Sequence, residues 1–434
     1  MKQSWLIILA SAVFPSLCQA YDNDDRPVFS THDYEAVELG WLLFYDPILS
    51  GNRNISCGTC HHPKFGTADG VALSLGEGGI GLGPERIADP KNMPEQRIPR
   101  NAPALFNLGA EEFQVMFHDG RLEADPTQPG GMRTPLGQDM VAGFDSVLSA
   151  QAMFPVLSPD EMAGHYSENE IAQAVRLGRL SGEGGAWDLI SQRVSDIPEY
   201  EQRFAALLGP GEPVEFTDIA NVLAAFIAEE WRADESPYDL ALTGEKPLSD
   251  AAQRGQDIFT GKAQCSSCHS GRFQTNHSFH GIGIPQFGPG KAARFESHNR
   301  DEGRGRVTGQ LADFYTFRTP SLRNVTLTGP YGHNGAFTDL REMVAFHTQA
   351  VSEHEFDQEQ VVLPVFDAPN DWDAFTDQQA VADIKAASSA PVISLSEGEM
   401  DDLIAFLDAL TDVNWRTRGL GVPEAVPSGL PVDR

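Results

Sequence analysis

The residues best suited to chemistry stand in two short runs of one grammar, Cys57-Gly58-Thr59-Cys60-His61 and Cys265-Ser266-Ser267-Cys268-His269. Thiols at this spacing add across the two vinyl groups of a porphyrin, and the next residue then offers its imidazole to the iron. A redox dithiol or half of a zinc site would account for the cysteines but not for a histidine directly after each second one. The reading is two covalent c-type haems with His61 and His269 as proximal ligands. His62 follows too closely to reach the far side of the same iron; a surface or propionate contact suits it. An iron closed by two strong ligands only moves electrons, whereas one with a vacant position can bind and cleave a small oxidant. On peroxide that chemistry also needs an acid/base to move a proton between the two oxygens, and a carboxylate in a closed pocket can serve.

The surrounding segments read as devices for positioning these groups. Thr31 can cap a helix bearing Val37, Trp41 and Phe44 on one face, which Asp46-Pro47 stops before the first cysteine. Residues 66–100, rich in Gly and Pro, read as a long loop over the first haem. From Ile171 onward the pattern turns helical. Pro198 and Gly209 bracket a segment with Phe204, Leu207 and Leu208 buried, and Thr217 caps another whose face is Ile219, Val222, Leu223, Phe226 and Ile227. The polar run Ala233–Pro247 is the expected domain boundary. Ser249 then caps a short helix through Gly255 and Phe259 into the second attachment run, repeating the order seen before Cys57. Ser396 and Glu399 form a capping box for a last helix bearing Met400, Leu403, Ile404, Leu407 and Leu410. Strand signals are sparse. The fold class is mainly α, with two cytochrome c-like domains, 21–235 and 236–434, each carrying one haem.

The start of the chain, Met1-Lys2, an apolar run from Trp5 to Phe14 and then Cys18-Gln19-Ala20, reads as a signal peptide over 1–20. It implies an exported, periplasmic product; Leu17 before Cys18 makes lipid anchoring the minor alternative. No later stretch supplies the roughly 20 apolar residues of a membrane span. Of five cysteines, Cys18 lies in the signal and the other four are the haem pairs, which leaves none for a disulfide. The 62 acidic residues against 31 basic ones, a formal charge of −31, argue against nucleic acid and anionic membranes as partners.

Several blocks resemble the bacterial di-haem cytochrome c peroxidases and the related MauG-type enzymes. These are LFYDPILSGNRNISCGTCHHP before and through the first attachment run, RNAPALFN, FHDGR, and TPSLRNVTLTGPYGHNG after the second. The resemblance implies a peroxidatic N-terminal haem whose distal side is lined by a Gln, a Pro and a Glu. Gln151, Pro155 and Glu161 match that order within LSAQAMFPVLSPDEM, with Glu161 as acid/base and Gln151 as a hydrogen-bonding group. Read without the resemblance, Glu161 is an acidic residue in the first turn of a helix after Pro159. An insertion between FHDGR and LSAQAM departs from the family spacing.

The resemblance also places the outer ligand of the second haem, usually Met or Tyr, at His347, on one helical face with Leu340, Met343 and Val344; His354 is the alternative in a shifted register. The tryptophan that many relatives hold between the haems corresponds to His118, and a calcium ion would fall to Asn101, Thr328 and Pro330. Many family peroxidases block the first iron with a loop histidine, and residues 66–100 contain none, so the first iron is expected to be open in the resting oxidised state. Three functions follow. One is a peroxidase reducing hydrogen peroxide with electrons from a small cytochrome c or cupredoxin; the second is a MauG-like enzyme oxidising residues of a partner protein; the third, outside the enzymes, is an electron-transfer cytochrome. A homodimer is implied by the resemblance alone.

Overall fold

The computed structural model describes residues 27–434 apart from 138–139, 294–295, 354–355 and 368–370. The signal segment and His354 therefore lie outside the described residues. Among the described residues helices dominate, and three small antiparallel sheets accompany them: Gly79–Ile80 with Ile87–Ala88, Val115–Met116 with Leu122–Ala124 and Met132–Arg133, and Phe279–His280 with Phe317–Arg318.

The same helix crossing is built twice. Helix Tyr34–Tyr45 packs on helix Phe216–Glu230, and helix Asp250–Thr260 packs on helix Glu397–Ala409. Each crossing is set by a glycine. A Cβ on Gly40 would lie 1.8 Å from Val222 O and 2.9 Å from Phe226 Cβ; one on Gly255 would lie 1.9 Å from Asp402 O and 2.8 Å from Phe406 Cβ. The backbones thus touch where any side chain would hold them apart. Phe226 and Phe406, each four residues beyond the touching carbonyl, are 0% and 2% exposed. Burying such a ring contributes on the order of 2–3 kcal/mol.

The two halves are interleaved. Ala72 and Leu73, from the loop after the first attachment run, pack with Ile284, Phe287, Phe337 and Phe346 of the second half. In return the C-terminal tail crosses back over the first half: Trp41 Nε1 donates to Gly421 O at 2.6 Å, Ser428 Oγ to Asp46 Oδ1 at 2.6 Å, and Thr59 Oγ1 to Asp433 Oδ2 at 2.6 Å. Buried Arg100 ties the halves with charge, reaching Asp301 at 2.6 Å and Asp119 at 2.7 Å.

Local signals fare unevenly. Ser249 caps its helix, and Ser396 with Glu399 forms the expected reciprocal box. Thr31 and Thr217 do not cap: Asp33 opens the first helix, and Glu215 with Asp218 boxes the start of Phe216–Glu230. A carboxylate accepts the orphan amide as well as a hydroxyl does. Leu208 ends its helix 37% exposed, since Phe204 and Tyr200 already fill the buried side. The run 233–247 is not a bare linker. It holds the capped helix Pro237–Leu242, whose buried Asp239 pairs with Arg323 at 2.8 Å. The 66–100 stretch, without helical periodicity as expected, is pinned by buried Arg86, which donates to Gly81 O at 2.6 Å, to Gly76 O at 2.7 Å and to Leu75 O.

Candidate active site

Cys57–Cys60 forms one helical turn, with Ser56 N donating to Thr59 Oγ1 at 3.0 Å. The preceding helix positions this turn directly, because a Cβ on Gly58 would sit 2.4 Å from Tyr45 Cδ1. His61 closes the turn through its N–H to Cys57 O at 2.9 Å, and its Nδ1 lies 3.0 Å from Thr67 O. A carbonyl can only accept, so Nδ1 carries the proton and Nε2 the lone pair. The second run repeats this: His269 N–H donates to Cys265 O at 2.8 Å, and its Nδ1 lies 3.0 Å from Gln274 O. Burial pushes the His61 imidazole down, and burial together with the neighbouring His347 pushes His269 down to about 4. Both are neutral, as metal ligands must be. None of Cys57, Cys60, Cys265 and Cys268 is tied in a disulfide, so all four are available to a porphyrin.

A cavity of about 590 Å³ opens against the second turn, within the size range of cofactor clefts. Cys265, Cys268 and His269 line it, and so does His347 from helix Leu340–Thr348. His347 Nδ1 is 2.8 Å from Met343 O, which again assigns the lone pair to Nε2. Paired thiols, two imidazoles whose Nδ1 faces a backbone carbonyl and a largely apolar cavity between them fit a covalent haem. The first turn carries the same thiols and the same imidazole geometry.

His118, Asn101, Thr328 and Pro330 line this cavity too. Asn101 Nδ2 donates to Val71 O at 2.7 Å, and a Cβ on Gly335 would meet both that Nδ2 and Pro330 Cγ at 3.0 Å. Asn101 and Pro330, two of the three residues expected to hold calcium, therefore lie side by side, and Thr328 lines the same cavity. His118 Nε2 is 3.1 Å from Asn101 O, and burial with the Arg100 charge pushes its imidazole down to about 4.

The expected distal residues come from three successive segments. Gln151 ends the short helix Val147–Gln151, which packs on Phe216–Glu230, and its Oε1 is buried without a hydrogen-bond partner. Pro155 opens a 3-10 turn over Pro155–Leu157. Glu161 sits in the single π turn Pro159–Ala163, capped by Ser158, whose Oγ accepts from Glu161 N at 3.3 Å. Loop 66–100 holds that turn in place: Glu77 N donates to Asp160 O at 3.0 Å, and a Cβ on Gly76 would fall 3.0 Å from Glu161 Cα. Burial raises the Glu161 carboxyl, opposed by Lys291 and Arg121, and its charge in turn reaches Cys60. An acid beside the first attachment turn can hold a proton and release it.

Two neighbours of Glu161 escaped the sequence reading. Arg121 belongs to FHDGR and lies 3.5 Å over the Phe117 ring. Lys291 comes from the far half, and burial, with Arg121 and Arg100 nearby, lowers it to about 8. FHDGR was a signal for the first; the Gly/Pro-rich stretch before Lys291 offered none.

Fold and site together define a helical haem-binding oxidoreductase. The family description "di-haem cytochrome c peroxidase" matches residues 34–247. The methylamine utilization protein MauG of Paracoccus denitrificans is 31% identical over 86% of this chain and 88% of its own, and the cytochrome c551 peroxidase of Pseudomonas aeruginosa is 31% identical over 71% and 70%. Among solved structures, a MauG-like protein associated with microbial copper homeostasis is 26% identical, covers 95% of this chain and 97% of its own, and superposes with a TM-score of 0.58. The chain belongs to the di-haem cytochrome c peroxidase and MauG family. No helix among the described residues is long and apolar enough to cross a membrane.

Proposed function

We propose that this protein is a periplasmic di-haem peroxidase that reduces hydrogen peroxide to water with electrons from a small cytochrome c or cupredoxin. Two cytochrome c-like units, 21–235 and 236–434, carry the haems through Cys57, Cys60 and His61 and through Cys265, Cys268 and His269. The haem that Cys57, Cys60 and His61 would hold would supply an iron able to take peroxide. Glu161 takes the proton from one peroxide oxygen and returns it to the other. Gln151 offers its amide to the bound oxidant, and Pro155 shapes the wall beside it. His269 and His347 would hold the second haem, which would serve there to pass electrons onward. Asn101, Thr328 and Pro330 would hold a calcium ion.

The observation that carries this reading is Glu161, a half-buried carboxyl that burial holds toward its protonated form and whose charge reaches Cys60 of the first attachment turn. The test is steady-state turnover of hydrogen peroxide with a reduced small c-type cytochrome. Turnover supports the reading, and its absence in a protein that still reacts with peroxide favours the second one. In that second reading the oxidising equivalents are withdrawn from residues of a partner protein, as in MauG-type enzymes. It is favoured by His347, since imidazole is a stronger donor to oxidised iron than the usual thioether, and by the lack of any histidine in 66–100.

A further inference from the structure

His165 is the unexplained residue near this pocket. Its side chain is only 4% exposed, yet neither ring nitrogen has a hydrogen-bond partner. Leaving such an atom unsatisfied is costly, so two of them call for a role beyond packing. The ring stands between two carboxylates. Nδ1 is 3.5 Å from Glu95 Oε2 and Nε2 is 3.8 Å from Asp160 Oδ1. Glu95 is 38% exposed and faces solvent, whereas Asp160 is 18% exposed and directly precedes Glu161 in the same turn.

The surroundings keep this line in order. Gln96 Nε2 donates to Asp160 Oδ2 at 2.7 Å, which leaves Oδ1 as the oxygen facing the imidazole. Glu168 Oε2 accepts from His165 N at 3.2 Å and fixes its backbone, while Asn52 Nδ2 donates to the same oxygen at 2.7 Å. The charged groups shown at His165 are Glu95, Asp160 and Glu168, all proton acceptors. We propose that His165 is the proton carrier that connects solvent, through Glu95, to Asp160 and the Glu161 carboxyl of the peroxide pocket. This rests on Glu161 being the acid/base.

The chemistry requires such a supply. Turning one hydrogen peroxide into two waters consumes two electrons, which the donor protein provides, and two protons. Glu161 lends a proton between the oxygens and takes it back, so it is no net source. The two protons enter from solvent in every cycle. At His165 a proton arrives at Nδ1 from Glu95 and another leaves Nε2 for Asp160. A small swing of the ring or one bridging water closes the remaining gaps.

The test uses the di-haem holoenzyme and its H165Q, E95Q and E161Q variants, with hydrogen peroxide as oxidant and ferrocyanide as reductant. In H165Q, kcat is expected to fall roughly 100-fold, with kcat/KM for peroxide retained, the loss deepening as pH rises and added imidazole restoring turnover. E95Q, changed at a half-exposed side chain that does not hold the fold, should lower kcat in the same direction. Wild-type kcat in H165Q and E95Q, or a loss in H165Q that imidazole does not repair, would overturn the relay while E161Q stays inactive. An E161Q protein whose first reaction with peroxide is unchanged would remove the acid/base and the relay with it.

Discussion

Gly40 and Gly255 are the points where each half of the protein is most sensitive to a single methyl group. In Gly40→Ala the new Cβ would fall 1.8 Å from Val222 O, and in Gly255→Ala 1.9 Å from Asp402 O. A carbon and an oxygen that are not bonded need roughly 3.4 Å or more, so each pair of helices must separate by about 1.5 Å. Alanine in a helix gains about 1 kcal/mol over glycine. Overpacking that displaces backbone costs about 3 kcal/mol or more, which leaves a net loss of about 2 kcal/mol at each site. Gly398, in the first turn of the same Glu397–Ala409 helix, has nothing within 4 Å of its added Cβ and serves as the control. Its alanine variant should hold or slightly raise stability. Guanidinium unfolding followed by far-UV ellipticity gives the stabilities, and the Soret bands report which haem environment loosens first. If Gly40→Ala and Gly255→Ala unfold like wild type, as Gly398→Ala should, the idea that touching backbones define both crossings is wrong.

Arg100→Gln strands the buried carboxylates of Asp301 and Asp119 and should cost about 3–5 kcal/mol. Burial pushes the Asp119 carboxyl up, but Arg100 and Arg121 overcome it and hold it at about 2. Against an unfolded value of about 3.9, its stabilisation is present above that pH and is lost as pH falls toward 2. The wild-type denaturation midpoint should drop across this window and that of the variant should stay flatter; parallel curves would refute the assignment. His347→Met should raise the midpoint potential of the second haem in a spectroelectrochemical titration, and an unchanged potential means that another residue closes that face. Removing calcium with EGTA should alter the haem spectra of the wild type but not of Asn101→Ala. Equal responses would exclude the site at Asn101, Thr328 and Pro330.

What could be read from the sequence was what the chain encodes over a few residues. The attachment runs are contiguous, and the caps at Ser249 and Ser396 act across three positions, so both were visible. Asp33 and Glu215 took the places expected of Thr31 and Thr217, since each helix start offered more than one competent acceptor and tertiary packing made the choice. The Glu161 turn was located by resemblance; its burial and its neighbour Lys291 were not, because Lys291 arrives from 130 residues further along the chain. The return of the C-terminal tail to Trp41, Asp46 and Thr59 has no local signal either, resting on hydrogen bonds across more than 370 positions. His165 looks like any histidine in a polar stretch until its orphaned nitrogens are seen.

The claim beneath all of this is asymmetry: a vacancy at the His61 iron beside Glu161, and closure of the second iron by His269 and His347. Electronic absorption and electron paramagnetic resonance spectra of the resting ferric protein, followed by one equivalent of hydrogen peroxide, test it most directly. The account predicts one high-spin and one low-spin ferric haem, with the high-spin signal lost on adding peroxide. Two low-spin ferric haems that do not respond to peroxide would contradict it.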